Sequence, residues 1–309
     1  MLNRRDFLKQ TGTAALGGIL ISNTALANCF NAPAIHPIGV QLFTFINSID
    51  NDVTGTLQKI ANVGYKEIES SFSRKGDFYG MKPKEFAALI KDMGLSWISH
   101  QVIGAPYKLA PGTKPPLDEN GKPFSLPPMN NLRDNGQQLI DEAGEAGVKY
   151  LVCANTPLTT LDEIKASIEV LNKTGETCKA VGITFAYHNH DAEFRPVEGQ
   201  IPYDLILKGT NANTVKMELD LAWAVKGGID PVELFKQNPG RFPLWHVKDI
   251  DKNHEAVLAV GSGTIDFKRI FDAAKIAGNK HFFVEHDLPK DSLESITSSY
   301  NYLNKILKV

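Results

Sequence analysis

The sequence predicts an α/β fold: a closed, parallel (β/α)8 barrel in a single domain, with one long loop after the third strand. Three observations lead there. Eight short β-rich runs alternate with longer segments of helical period. Most of the helical segments end in a glycine directly before the next strand, as where a helix stops in a left-handed cap. A doubly wound open sheet would alternate in the same way, but "GVQLFTFINS" around the first strand has no glycine-rich turn to cradle a pyrophosphate. The closed barrel is therefore favoured.

Taken in order, the chain opens with "NRRDFLKQTGTAALGGILISNTALA". Arg4 and Arg5 precede a weakly apolar run that ends in Ala25, Leu26 and Ala27. A basic region, an apolar region and a small-residue cleavage pattern make residues 1–27 an expected twin-arginine export signal, and they place the mature protein in a bacterial periplasm. The run is too short and glycine-rich for a permanent membrane anchor. Cys29 offers a site for a lipid anchor, the lesser reading because Asn28 suits that modification badly. The barrel is expected over residues 36–309, with strands at 38–45, 65–72, 95–103, 149–154, 183–190, 215–220, 243–250 and 281–287. Between them lie helical segments such as "TGTLQKIANVG", "KPKEFAALIKDMG", "NLRDNGQQLIDEAGEAG", "LDEIKASIEVLNKTGETCKAVG" and "DFKRIFDAAKIAG". The Pro/Gly-rich insert from Gly104 to Met129 follows the third strand, where a barrel would use it as a lid or substrate wall.

Of the 309 residues, 42% are hydrophobic and 22% charged, which is enough to bury a large core. A net charge of -2 shows neither the basic excess of a nucleic-acid binder nor the like-charge block of a solvated tail, so the expected partner is a small molecule. Cys29, Cys153 and Cys178 are too few for a disulfide scaffold and are not spaced as a metal knuckle. Buried free thiols are expected for the latter two, although an oxidising compartment permits a bridge.

In a parallel barrel, polar residues at the C-terminal ends of the strands converge on one pocket. Here the fifth strand ends in His188 and His190, and the sixth in Glu218 and Asp220. The seventh ends in His246, Lys248 and Asp249, and the eighth in Glu285, His286 and Asp287. A lone histidine is more often a hydrogen-bonded core or surface residue than a ligand. Several acids and imidazoles aimed into one mouth are different, because buried charge calls for a cation or a polar ligand. A mixed nitrogen and oxygen site suits Mn²⁺ first, with Zn²⁺, Co²⁺, Fe²⁺ or Mg²⁺ as alternatives.

"GVQLFTF", "GYKEIE", "YHNHDAEF", "MELDLAW", "HVKDI", "GSGTIDF" and "FFVEHD", in that order, resemble the sugar phosphate isomerase/epimerase group of xylose-isomerase-like TIM barrels over roughly residues 36 to 309. The resemblance implies a metal held by Glu, Asp, His and Glu on strands five to eight. Carried over by residue, Asp220, His246 and Glu285 match the last three, while the first falls on His188, where the family commonly has Glu. Glu285 is then the one carboxylate base of the pair such epimerases use, unless His188 or His190 supplies the second proton transfer. A divalent ion with Asp220 and Glu285 alone is neutral, and so a stronger Lewis acid than with three carboxylates.

The expected catalytic residues are Glu285 as base, His188, and Lys248 as oxyanion stabiliser. Glu69 and His100, at the mouths of strands two and three, are expected to bind substrate hydroxyls. His190 and Glu193 are expected at the substrate or behind the metal ligands. Trp223 and Trp245 read as core residues. The expected activity is metal-dependent isomerisation or epimerisation of a free sugar or keto-sugar through an enediolate, since a periplasmic address and the lack of a phosphate cradle argue against a sugar phosphate. A lyase or hydratase acting on a keto-sugar through the same intermediate comes close behind. A carbohydrate-binding barrel without turnover is the reading from another class. A nuclease is disfavoured, lacking both a basic surface and ligands for several metals.

Overall fold

A computed structural model describes residues 37–76, 78–106 and 129–307. The expected signal, Cys29 and most of the insert after the third strand lie outside the described residues. Eight parallel strands close into a barrel in chain order: β1 (Gly39–Gln41), β2 (Glu67–Ser70), β3 (Ser96–Ile103), β4 (Tyr150–Asn155), β5 (Thr184–His188), β6 (Val215–Asp220), β7 (Leu244–Val247) and β8 (His281–Val284). β8 closes on β1 through the pairs Gly39↔Phe283 and Val40↔Val284.

Several strands are shorter than the sequence suggests. The run 38–45 leaves the sheet after Gln41, whose side chain accepts from the Phe43 amide and starts a 3-10 turn over Leu42–Phe45. The run 243–250 ends its barrel pairing at Val247, and Asp249–Ile250 turns away to pair antiparallel with Val257–Leu258. The segment 266–278 forms two helices, Phe267–Asp272 and Ala274–Ala277. Apolar alternation runs on into these loops because their side chains still face the pocket or the core, whereas ladder hydrogen bonds end earlier.

The helices start where the sequence supplies a cap. Asn131, Thr160 and Asp266 each accept a backbone N–H from the first turn of the helix that follows. Gly147, at φ 75°, closes Leu132–Ala146 in the left-handed conformation. Between barrel and helices lies the main core, which includes Trp245 stacked on Phe235 with ring centroids 5.0 Å apart. Inside the barrel, Ile98, Val152, Ala186, Leu244 and Phe283 form a separate apolar plug. A register shift between β2 and β3 allows Ser99 as well as Ile98 to reach the interior. Cys153 and Cys178 are buried free thiols. No helix among the described residues is long and apolar enough to cross a membrane.

Candidate metal centre

Above the apolar plug the barrel interior turns polar. β5, β6 and β7 register His188 beside Glu218 and Asp220 beside His246, so these side chains are brought to the C-terminal end of the barrel. One donor atom each from His188, Asp220 and His246 lies within 4.8 Å of the other two. Glu285, just past β8, joins them with Oε2 2.5 Å from His246 Nδ1. All four side chains are almost completely buried.

The decisive detail is what these groups face. His188 Nδ1, Asp220 Oδ2, His246 Nδ1 and Glu285 Oε2, one atom from each residue, are buried, and their contacts are ion pairs within the cluster: His246 with Glu285, Lys248 with Asp220 and Glu285, and His188 with Glu218 at 3.2 Å. Buried imidazoles and carboxylates gathered on adjoining strand ends fit a divalent cation. Asp220 shows the division of labour: Oδ1 accepts the Trp223 amide at 2.9 Å and caps the helix Leu221–Lys226, leaving Oδ2 for the site. Neutral imidazoles and ionised carboxylates are needed for such ligation. Burial, and then the nearby imidazoles, hold His188 well below the usual histidine range. Burial also lifts Asp220 above the carboxylate range, opposed by Lys248. For Glu285 the balance reverses: burial raises it, but Lys248 and His246 outweigh that and hold it at about 2.

Lys248 is fully buried among three carboxylates, with Nζ 3.1 Å from Asp220, 2.9 Å from Glu285 and 2.8 Å from Asp287. Burial alone would lower this ammonium, yet the surrounding acids raise it well above its ordinary range, so it carries its charge at neutral pH. The Lys248 ammonium also sits 5.1 Å from the Trp223 ring centroid, with Lys226 at 4.9 Å from the same ring. Trp223 therefore stands half-buried beside the site, which corrects its reading as a core residue; Trp245 is core.

The remaining expected site residues separate. Glu69 is 0% exposed and lies in the barrel interior beneath the ligands, not at the mouth. It accepts from Gln41 Nε2 at 2.5 Å, from His246 Nε2 at 2.6 Å and from the Ser99 hydroxyl. His100 is on the outer face of β3 because alternation sends Gln101, its neighbour, inward. Its Nδ1 meets Ser70 Oγ at 2.8 Å, its ring packs on Phe78, and burial lowers it to about 3. It lines a cavity of about 150 Å³ with Ser71, Phe72 and Asn130, away from the four ligands. His190 contacts His188 edge to face at 4.9 Å, and Glu193 accepts from the Tyr187 hydroxyl at 2.8 Å, so both stand behind or beside the ligands.

Sequence reading named Glu218 with Asp220 at the end of the sixth strand, where period-2 spacing puts both on one face, but it did not bring out Gln41, Ser99 and Gln101, which join Glu218 in a polar layer. Glu69, Glu218 and His246 also bring donor atoms within 4.8 Å of one another. Amide, hydroxyl and imidazole N–H groups point at these carboxylates, with Gln101 Nε2 donating to Glu218 at 3.1 Å. That is an anion's surrounding, not a second cation's. Burial, and then the Glu69 charge, push Glu218 well above the carboxylate range, which favours its protonated form. Asp249 and His286 from the strand-end motifs face elsewhere: Asp249 takes four backbone N–H groups of its own loop, and His286 pairs with Ser295.

Comparison with known proteins agrees with this architecture. The model of a family described as xylose isomerase-like TIM barrel matches residues 57–305. An inosose dehydratase of Geobacillus kaustophilus is 28% identical over 109 residues, 35% of this chain and 34% of its own length. An inosose dehydratase of Geobacillus thermodenitrificans is 26% identical over 224 residues, 65% of this chain and 73% of its own length. The match spans only about a third to a half of the first curated relatives. A crystal structure described as a sugar phosphate isomerase/epimerase from Parabacteroides distasonis superposes with a TM-score of 0.70 at 28% identity, covering 90% of this chain and 97% of that one.

Proposed function

Because the chain belongs to the xylose isomerase-like TIM barrel family, we propose that it is an enzyme using a divalent cation, held by His188, Asp220, His246 and Glu285, to remove a proton beside the carbonyl of a polyhydroxylated ketone. The observation that carries this reading is the convergence of buried imidazole and carboxylate atoms from those four residues on adjoining strand ends. Mn²⁺ is the first candidate, with Zn²⁺, Co²⁺, Fe²⁺ and Mg²⁺ behind it. When bound, the cation supplies Lewis-acid polarisation of the substrate carbonyl and so acidifies the adjacent carbon.

The chain's own residues do the rest. Glu285, ionised at neutral pH, accepts the α-proton on Oε1, the carboxylate oxygen that does not face His246 and Lys248. Lys248, a fixed ammonium within 3.1 Å of two ligand carboxylates, stabilises the negative oxygen of the enediolate. His188, kept neutral by burial, adds no charge and leaves the site more electrophilic than a third carboxylate would. Asp220 is held in place by its capping bond to the Trp223 amide, which fixes ligand geometry before substrate arrives.

From the enediolate, expulsion of a β-hydroxyl gives a dehydratase or lyase, and reprotonation gives an isomerase or epimerase. With His188 where a second carboxylate base would stand, elimination by one base is the better supported outcome, and the inosose dehydratases among the relatives agree. Isomerisation or epimerisation remains the second reading, favoured by the likeness to the Parabacteroides distasonis structure. The test is turnover of free keto-sugars and inososes with added Mn²⁺, followed by NMR in D₂O, beside Glu285→Gln. Water loss supports the first outcome, and deuterium at one carbon without loss of a group supports the second. Sugar binding with no turnover by the wild type would sink both in favour of a carbohydrate-binding barrel.

We also propose that residues 1–27 are a twin-arginine export signal and that the mature enzyme is periplasmic. The sequence pattern supports this. Replacing Arg4 and Arg5 together by lysine should hold the protein in the cytoplasm at its uncut mass. Unchanged periplasmic delivery would contradict it.

A further inference from the structure

We propose that Glu69 is a positioning residue that sets which nitrogen of His246 meets the cation, an inference that rests on the metal reading above. Glu69 lies on β2, three strands round the barrel wall from β7 and His246, and no expected role of a sugar-binding mouth residue fits a side chain with 0% exposure. Its Oε1 receives His246 Nε2 at 2.6 Å, while the other ring nitrogen, Nδ1, faces the candidate ligands, 2.5 Å from Glu285 Oε2 and 4.0 Å from Asp220 Oδ2. An imidazole that donates from Nε2 can present only the Nδ1 lone pair to a cation, and a carboxylate acceptor makes that lone pair more basic.

Glu69 is itself held from three sides. Gln41 Nε2 on β1 donates to the same Oε1 and the Ser99 hydroxyl on β3 to Oε2. Its carboxylate cannot swing up to act as a ligand without breaking both bonds. Four strands thus contribute to one hydrogen-bonded layer whose upward-facing product is the orientation of one imidazole.

The test is Zn²⁺ affinity by competition with a chromophoric chelator, with the His246 imidazole ¹⁵N–¹H signals read by NMR in the Zn²⁺-loaded full chain. Glu69→Ala is expected to weaken Zn²⁺ binding about 10- to 100-fold and to broaden away the Nε2–H signal. Glu69→Gln, which keeps the volume and an acceptor but not the charge, should keep the Nε2–H signal with a smaller loss of affinity. Ser99→Ala perturbs the same layer without touching His246 and should leave affinity within about twofold. If Ser99→Ala and Glu69→Gln lose affinity equally, or if Glu69→Ala binds Zn²⁺ as tightly as the wild type, the role assigned to Glu69 is wrong and the metal site stands. If the wild type binds no Zn²⁺, the metal reading falls and takes this inference with it.

Discussion

At the scale of single residues, Asp220 separates ligation from folding. Its Oδ1 caps a helix, and its Oδ2 faces Lys248 and the candidate ligands. Asp220→Asn keeps an acceptor for the Trp223 amide, so the melting temperature should stay near that of the wild type while activity is lost. Asp220→Ala should cost about 1 kcal/mol more by removing the cap; thermal melts beside activity assays read both. Glu285 makes a pH prediction. Its folded value of about 2 lies below its ordinary 4.5, so it contributes stability above pH 4.5 that is lost as pH falls towards 2. In chelator-treated protein, acid titration of wild type and Glu285→Gln should therefore converge over that window, the difference between them being largest at higher pH. A constant difference down to pH 2 would mean that Lys248 and His246 do not hold the carboxylate as described. At this scale the sequence was informative where chemistry and strand ends coincide: His188, Asp220, His246, Glu285 and Lys248 meet in one place. It was least informative for His100 and Glu69. One faces outward and the other lies beneath the ligands, and both outcomes depend on a register shift between β2 and β3 that no periodicity reveals.

At the scale of elements, the segment after β7 shows how a motif residue can be structural. Asp249 receives the amides of Ile250, Gly261, Gly263 and Ile265 at 2.9–3.1 Å and so ties the loop 251–265 to the barrel rim. Gly263 is required for this closeness, since a Cβ there would stand 2.4 Å from the Asp249 carboxylate. Asp249→Ala should destabilise the protein by about 2–4 kcal/mol in urea denaturation, because four amides, two of them buried, lose a charged acceptor. A change under about 0.5 kcal/mol would show that the loop closes without it. Eight strands and their connecting helices were legible from alternation and terminal glycines, because those patterns record what each element buries. Strand ends were not. Residues 42–45 and 249–250 keep an apolar or alternating pattern after leaving the barrel sheet, where burial continues but pairing does not.

At the scale of the whole molecule, an apolar plug, a carboxylate layer and a cluster of buried imidazoles, carboxylates and one ammonium succeed one another inside the barrel, and the last draws on four strand ends at once. A cation bound there by the folded chain alone should stabilise it by roughly 2.7 kcal/mol at a hundredfold excess over its dissociation constant. For a barrel of this size that is a rise of about 5 °C in melting temperature, reversed by a chelator. The measurement that reaches the central claim most directly is an anomalous-scattering map from a crystal grown with Mn²⁺ or Zn²⁺. A single peak within bonding distance of His188, Asp220, His246 and Glu285, with His246 bound through Nδ1, is the predicted result. A barrel mouth without a peak, or an ion bound by other residues, would contradict it.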